Sequence, residues 1–154
     1  MNFDGPVRPS VSPADQRAGL GERVTSLARA RDDVVGLALV GSVAHQTARD
    51  DSDVDVILLV DDRDAFVRDE AAWLAHLTNG AEAWCDLKQA TWGVLVERRF
   101  VIDDVDLDLG VVDASWASLH PIDDGTRRVI ADGARVLVDK RCLLAALIDA
   151  VTRA

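Results

Sequence analysis

Lysine is scarce in this chain: two lysines stand beside fifteen arginines, and the seventeen basic residues face twenty-seven acidic ones, for a net charge of −10. A protein that grips a nucleic-acid backbone needs a basic face, so this balance argues against nucleic acid as a partner and favours cationic ones. Cysteine is equally sparse. Cys85 and Cys142 match no metal-ligand spacing and form no disulfide framework, so both are read as free thiols in a reducing cytosol. No apolar run reaches the roughly 18 residues that a membrane helix requires. The opening stretch "MNFDGPVRPSVSP" lacks a basic patch followed by an apolar core, so it does not read as a signal peptide. The expectation is a cytoplasmic protein that does not engage a membrane. Gly-x-Gly-x-x-Gly, Gly-Lys-Ser and Gly-x-Ser-x-Gly are all missing, which removes dinucleotide folds, P-loops and nucleophile elbows. There are no internal repeats and no low-complexity segment.

What is present is an ordinary globular composition, 49% apolar and 29% charged over 154 residues. That length predicts one domain, large enough to bury a core without staples. Its richness in Asp, Arg, Val and Ala resembles the product of a GC-rich bacterial genome. Residues 1–12 are expected to be a lead-in, and 13–154 a single domain. Ser12-Pro13-Ala14-Asp15 reads as a helix start: a capping hydroxyl, a proline at the first helical position and an acid in the first turn. That helix is predicted to run to about Arg31. Val34 to Val40 reads as a buried strand ending at Gly41, followed by a short helix, and Asp53 to Val60 as a second strand. A helix over Asp64 to Leu77, capped near Asp62, follows. "AWCDL" is a short strand, Trp92 to Ile102 a longer one, and Val105 to Val112 its hairpin partner across Asp103-Asp104. A short helix in "DGTRRVIAD", a strand in "ARVLVD" and an amphipathic helix in "RCLLAALIDAVTRA" close the chain. This order predicts an α/β (α+β) architecture, a mixed sheet with helices packed on it.

The chemistry concentrates in "LVGSVAHQTARDDSDVDVILLV", Leu39 to Val60. Alternation along a strand puts Asp53 and Asp55 on one face and Val54 and Val56 on the other. In the later strand Asp104, Asp106 and Asp108 share a face opposite Val105, Leu107 and Leu109. If the two strands are neighbours, three or more carboxylates meet on one patch of sheet. Like charges that close cannot all stay ionised without a cation, and hard divalent ions with oxygen ligands resolve the clash. Two such ions are the usual apparatus for displacement at phosphorus. Gly41 lets backbone approach a ligand, the amides after it favour an anion, and Ser42 adds a hydroxyl.

Gly41-Ser42, Ala44 and Ser52-Asp53-Val54-Asp55 together resemble the signature of the nucleotidyltransferase superfamily related to DNA polymerase β. The stretches "RRFVIDDVDLDLGVV" and "SWASLHPIDDGTRRVIADGARVLVD" resemble the later part of minimal and antibiotic-adenylylating bacterial members. The resemblance implies a nucleotidyltransferase fold that moves a nucleoside monophosphate, AMP from ATP, to a hydroxyl of a small molecule or protein with two Mg²⁺ ions, or Mn²⁺ in their place. It implies that Gly41 and Ser42 hold the triphosphate and that Asp53, Asp55 and Asp108 bind metal, Asp108 also taking the acceptor's proton. Asp106 competes with Asp108 for that place. Gln46 stands where many relatives have glycine. Other roles that the resemblance leaves open are an antitoxin-type partner of a toxin and a non-catalytic nucleotide-binding domain.

Several residues have blander readings. Asp50 and Asp51 read as a solvated turn. Asp51, Asp53 and Asp55 have the spacing of a calcium loop's first ligands, but Val56 and Asp62 occupy the places where that loop needs Gly and Glu. His45 reads as an exposed turn residue, His76 and His120 have no partner at ligand spacing, and the four tryptophans read as core or edge residues. Arg98 and Arg99 must point to opposite faces of their strand, one of them toward the carboxylates or into a surface ion pair. Relatives commonly carry a helical domain after the catalytic one. Only about fifteen residues follow Asp139 here, so a homodimer or a partner protein is expected to wall the acceptor side.

Overall fold

The computed structural model describes residues 12–41, 53–78, 83–85 and 90–153. The first helix, α1 (Pro13–Ala30), starts as its sequence requires. Ser12 is extended, Pro13 opens the helix, and the Ser12 hydroxyl accepts the Asp15 N–H at 3.2 Å. Strand β1 (Val34–Val40) is followed by β2 (Val54–Val60), with which it pairs antiparallel, then by α2 (Arg63–Arg68) and α3 (Glu70–Thr78). Strands β3 (Ala83–Cys85), β4 (Ala90–Trp92), β5 (Leu95–Ile102) and β6 (Val105–Asp113) come next. A single 3₁₀ turn (Ala114–Ala117), α4 (Asp124–Ala131), β7 (Ala134–Asp139) and α5 (Leu143–Arg153) complete the order. The result is a mixed sheet flanked by helices, as expected.

Among the described residues seven strands form one sheet in the order β3-β5-β6-β2-β1-β7, with β4 also paired to β5. Every pair is antiparallel except β2 and β6, which run parallel. A parallel pair needs a crossover, and the long path through α2, α3 and the β3–β5 strands supplies it. The β5–β6 hairpin closes through Asp103 and Asp104 with φ of 50° and 62°, and Ile102 pairs with Val105. Two left-handed residues in a two-residue loop match the twist of the strands, and Asp tolerates that conformation better than most side chains.

Two expectations need correcting. The strand predicted from Trp92 to Ile102 is two strands, folded at Gly93-Val94 so that Trp92 pairs with Leu95. Gly93 has a φ of +59°, a turn conformation that the run of apolar residues around it conceals. The helix predicted over Asp64 to Leu77 breaks at Asp69. The Trp73 indole donates to the Phe66 carbonyl at 2.9 Å, claiming the acceptor that a regular ladder would offer to residue 70. Arg31 holds the corner, donating to Asp69 at 2.8 Å while its guanidinium lies 5.1 Å from the centre of the Phe66 ring.

The sheet buries both faces. On one, α1, α2 and α3 cover Val54, Val56, Leu58, Leu107, Leu109 and Phe100 with Leu20, Val24, Leu27, Phe66, Trp73 and Leu77. Trp73 stacks on Phe66 at 5.3 Å and meets Phe100 edge-on at 5.6 Å. On the other face the 3₁₀ turn, α4 and α5 bring Trp116, Ile130, Leu144 and Leu147 onto Val35, Ala38, Ile57, Leu59 and Val112. Each fully buried leucine there contributes about 2 kcal/mol. The last helix therefore spends its apolar stripe on the sheet, as its periodicity predicts. Among the described residues no helix is long and apolar enough to cross a membrane, and Cys142 is an exposed free thiol.

Candidate functional site

The second face is apolar only where α4 and α5 reach. Along β2, the residues on that face read Asp53, Asp55, Ile57 and Leu59, polar at the strand's entry and buried beneath the helices at its exit. On β6 they read Asp106, Asp108, Gly110 and Val112, and on β5 they read Val101, Arg99, Glu97 and Leu95. Because β2 and β6 are parallel, their polar ends coincide, and Asp55 and Asp108 are Cα partners across the ladder. The two-residue turn of the hairpin fixes Arg99 opposite Asp108 and Glu97 opposite Gly110. Three strands thus bring Asp53, Asp55, Asp108, Glu97 and Arg99 to one patch. Asp106 pairs with Val101, one step nearer the turn and exposed.

Two small clefts flank the patch. One, about 160 Å³, is lined by Asp53, Arg99, Asp106 and Asp108. The other, about 280 Å³, runs past Gly41, Asp55, Glu97 and Asp108 toward Leu95, Gly110 and Val129 of α4. Gly41 has a φ of +74°, and a Cβ there would collide with the Asp55 carboxylate. Asp55 therefore lies against bare backbone, a close approach that only glycine permits.

The electrostatics follow from this crowding. Burial, reinforced by the charge of Asp53, pushes the Asp55 carboxyl up to about 6, although Arg99 pulls the other way. Burial, followed by the charges of Glu97 and Asp55, pushes Asp108 up to about 7, and Asp108 shares a hydrogen bond with Glu97. Desolvation is the larger cause at both carboxyls, and the neighbouring carboxylates add to it. Arg99 is the nearby cation. Its Nη2 lies 3.6 Å from Asp53, and its Nε lies 3.6 Å from Asp108 and 3.4 Å from Glu97. Its neighbour Arg98 points the other way, into the α3 side, where Nε donates to Glu70 at 2.7 Å and the guanidinium lies 5.6 Å from the Phe100 ring centre.

Of the residues that the sequence singled out, Asp53, Asp55 and Asp108 come together and Gly41 stands beside them; Ser42, His45 and Gln46 lie outside the described residues. The converging carboxylates do not form a ready metal cage. Among the described residues no group of three or more His, Cys, Asp or Glu side chains is arranged to hold an ion. The Arg99 guanidinium lies 3.4 to 3.6 Å from three of these carboxylates. As a donor set they still suit a hard cation, being carboxylate oxygens whose mutual repulsion a divalent ion would relieve. Sequence reasoning passed over Glu97. Its signal was available, since Glu97 alternates with Arg99 on β5, and a two-residue turn carries both over β6.

Residues 22–87 match the family model of the nucleotidyltransferase domain. The matched segment includes Gly41, Asp53 and Asp55 and ends before β5, so Glu97, Arg99 and Asp108 lie beyond it. No curated protein matches the chain at a significant level. Among solved structures, one of a toxin–antitoxin with AMP-PNP aligns at 15% identity over 86% of this chain and 83% of that one, with a TM-score of 0.43. A cytoplasmic RNA terminal U-transferase aligns at 23% identity over 64% of this chain and 28% of its own length, TM-score 0.42. A poly(U) polymerase aligns at 18% identity over 64% and 30%, TM-score 0.42. This chain spans less than a third of either of those two.

Proposed function

We propose that this chain, which carries a nucleotidyltransferase domain by its match over residues 22–87, transfers AMP from ATP to a hydroxyl of a small molecule or protein. The observation that supports the reading is the in-register pair Asp55 and Asp108 on parallel strands, with Asp53 on the same face and Gly41 opening the backbone beside them. Asp53, Asp55 and Asp108 would hold divalent ions, Mg²⁺ or Mn²⁺. Bound there, the ions supply positive charge to phosphate oxygens during the displacement. Gly41 and Ser42 hold the triphosphate through backbone amides and a hydroxyl.

Asp108 takes the proton of the acceptor hydroxyl as its oxygen forms a bond to the α-phosphorus. The bond from that phosphorus to the β-phosphate bridging oxygen breaks, and its electron pair leaves with pyrophosphate. The cleft that runs past Gly41, Asp55, Glu97 and Asp108 toward α4 would give substrate room beside Asp108. Orientation there turns a two-body encounter into an in-line attack. A second subunit or partner protein would complete the wall over that cleft.

The test uses ATP labelled at the α-phosphate, with Mg²⁺ and panels of hydroxyl-bearing small molecules and proteins. Metal-dependent transfer of label and release of pyrophosphate are expected from the wild type, with loss of transfer in Asp108→Asn. Absence of any metal-dependent binding of ATP or its non-hydrolysable analogue would overturn the reading.

A further inference from the structure

Two adjacent arginines on β5 are held in opposite ways. Arg98 is nearly buried, with its side chain 11% exposed, and contacts Glu70 through Nη2 at 2.5 Å as well as through Nε. Arg99 is half exposed at 52% and touches three carboxylates at 3.4 to 3.6 Å. Those distances lie at or beyond the outer limit of a direct hydrogen bond. Arg99 is therefore attracted to Asp53, Asp108 and Glu97 by charge, and no close bidentate fork to any of the three pins it. It also lines the smaller cleft, so its guanidinium has open space beside the carboxylates.

This position matters because two of its partners, Asp53 and Asp108, are residues that the proposed function assigns to metal. A guanidinium and a divalent ion repel each other, and both cannot use the same carboxylate oxygens at close range. We propose that Arg99 is a built-in counter-ion: it offsets part of the charge of the carboxylate patch in the metal-free protein and must turn away before a divalent ion can bind. Arg99 thereby sets how tightly the site takes up metal. A triphosphate entering the cleft offers the displaced guanidinium a new anionic partner, which links nucleotide entry to metal entry. The inference rests on the proposed function, because it assumes that the patch binds a divalent cation.

The experiment measures two quantities on the full chain, wild type, Arg99→Gln and Arg99→Lys. One is the melting temperature without metal; the other is the affinity for Mn²⁺ alone, by titration calorimetry. Loss of the counter-ion should lower the first and improve the second, with Arg99→Gln binding Mn²⁺ about tenfold more tightly. Arg99→Lys keeps the charge and should stay near the wild type in both. A purely structural arginine would not produce this opposition of sign, because its loss would weaken fold and metal binding together. If the wild type binds Mn²⁺ and Arg99→Gln binds it no more tightly, the counter-ion role is wrong and the metal reading stands. If neither protein binds Mn²⁺, the metal reading itself fails and this inference falls with it.

Discussion

Asp55 and Asp108 sit side by side as Cα partners on two parallel strands, with both side chains on the same face of the sheet. Each is surrounded by further negative charge, Asp53 at one and Glu97 at the other. Replacing either Asp55 or Asp108 by Asn should therefore stabilise the metal-free protein while removing its response to metal. For the wild type, millimolar Mg²⁺ with a non-hydrolysable ATP analogue should raise the melting temperature, since a ligand bound only by the folded state stabilises it. Asp106→Asn should leave most of that response intact, because Asp106 is exposed and pairs with Val101 beyond the patch. Thermal melts of the three variants, with and without metal and nucleotide, decide this. A larger loss in Asp106→Asn than in Asp108→Asn would transfer the third-carboxylate role to Asp106.

The same crowding sets a pH dependence. Asp55 is raised to about 6 and Asp108 to about 7, whereas both titrate near about 4 in an unfolded chain. The folded state therefore holds these protons more tightly. The stabilisation from the two groups is fully present below about pH 4 and is lost as pH rises through their folded values, between about 4 and about 7. Other groups run the opposite way. Asp33 is held below its usual value by its Arg31 hydrogen bonds, so the test compares slopes. Between about pH 5 and about pH 8 the metal-free wild type should lose more stability than an Asp55→Asn, Asp108→Asn double variant. Denaturant melts at the two pH values measure it, and equal slopes would mean that neither carboxyl is raised in the folded protein.

Gly41 joins the backbone to the chemistry. Its positive φ alone makes an alanine there cost about 1 kcal/mol, and the added Cβ would meet the Asp55 carboxylate. Gly41→Ala should thus be destabilised and should also lose metal response, because Asp55 must move. A variant of unchanged stability with normal Mg²⁺ stabilisation would mean that the close approach of Gly41 and Asp55 is dispensable.

Much of this arrangement could be read without coordinates, for identifiable reasons. The alternation in Asp53 to Val60 assigns one face to carboxylates because a strand has a two-residue period, and Asp103-Asp104 announces a tight turn. That turn carries more information than it first suggests, since its length fixes Arg99 opposite Asp108. The parallel pairing of β2 with β6 is different. It joins strands separated by some fifty positions, and alternation within one strand says nothing about its neighbour. The break at Asp69 was equally hidden, because it depends on the Trp73 indole reaching back to Phe66, a side-chain event that helix periodicity does not record. Glu97 went unnoticed because a lone Glu in a strand resembles any solvent-facing residue until the hairpin sets it opposite Gly110, beside Asp108.

Arg98 and Arg99 finally predict a contrast between support and function. Arg98 faces the α3 side, where it meets Glu70 and lies close to Phe100, itself in edge contact with Trp73. Removing one member of a mostly buried ion pair leaves the other poorly compensated, and Glu70, 30% exposed, recovers part of that loss from water. Arg98→Ala should cost about 2 kcal/mol, a fall of about 6 °C in melting temperature for a domain of this size. It should leave Mn²⁺ affinity unchanged, because its side chain lies on the opposite face from Asp55 and Asp108. Glu70→Leu combined with Arg98→Leu should cost less than the two single changes added together, since the double change strands no buried charge. An additive double variant would show that the pair contributes nothing as a pair. A change in Mn²⁺ affinity with Arg98→Ala would show instead that the two faces of β5 are coupled through the sheet.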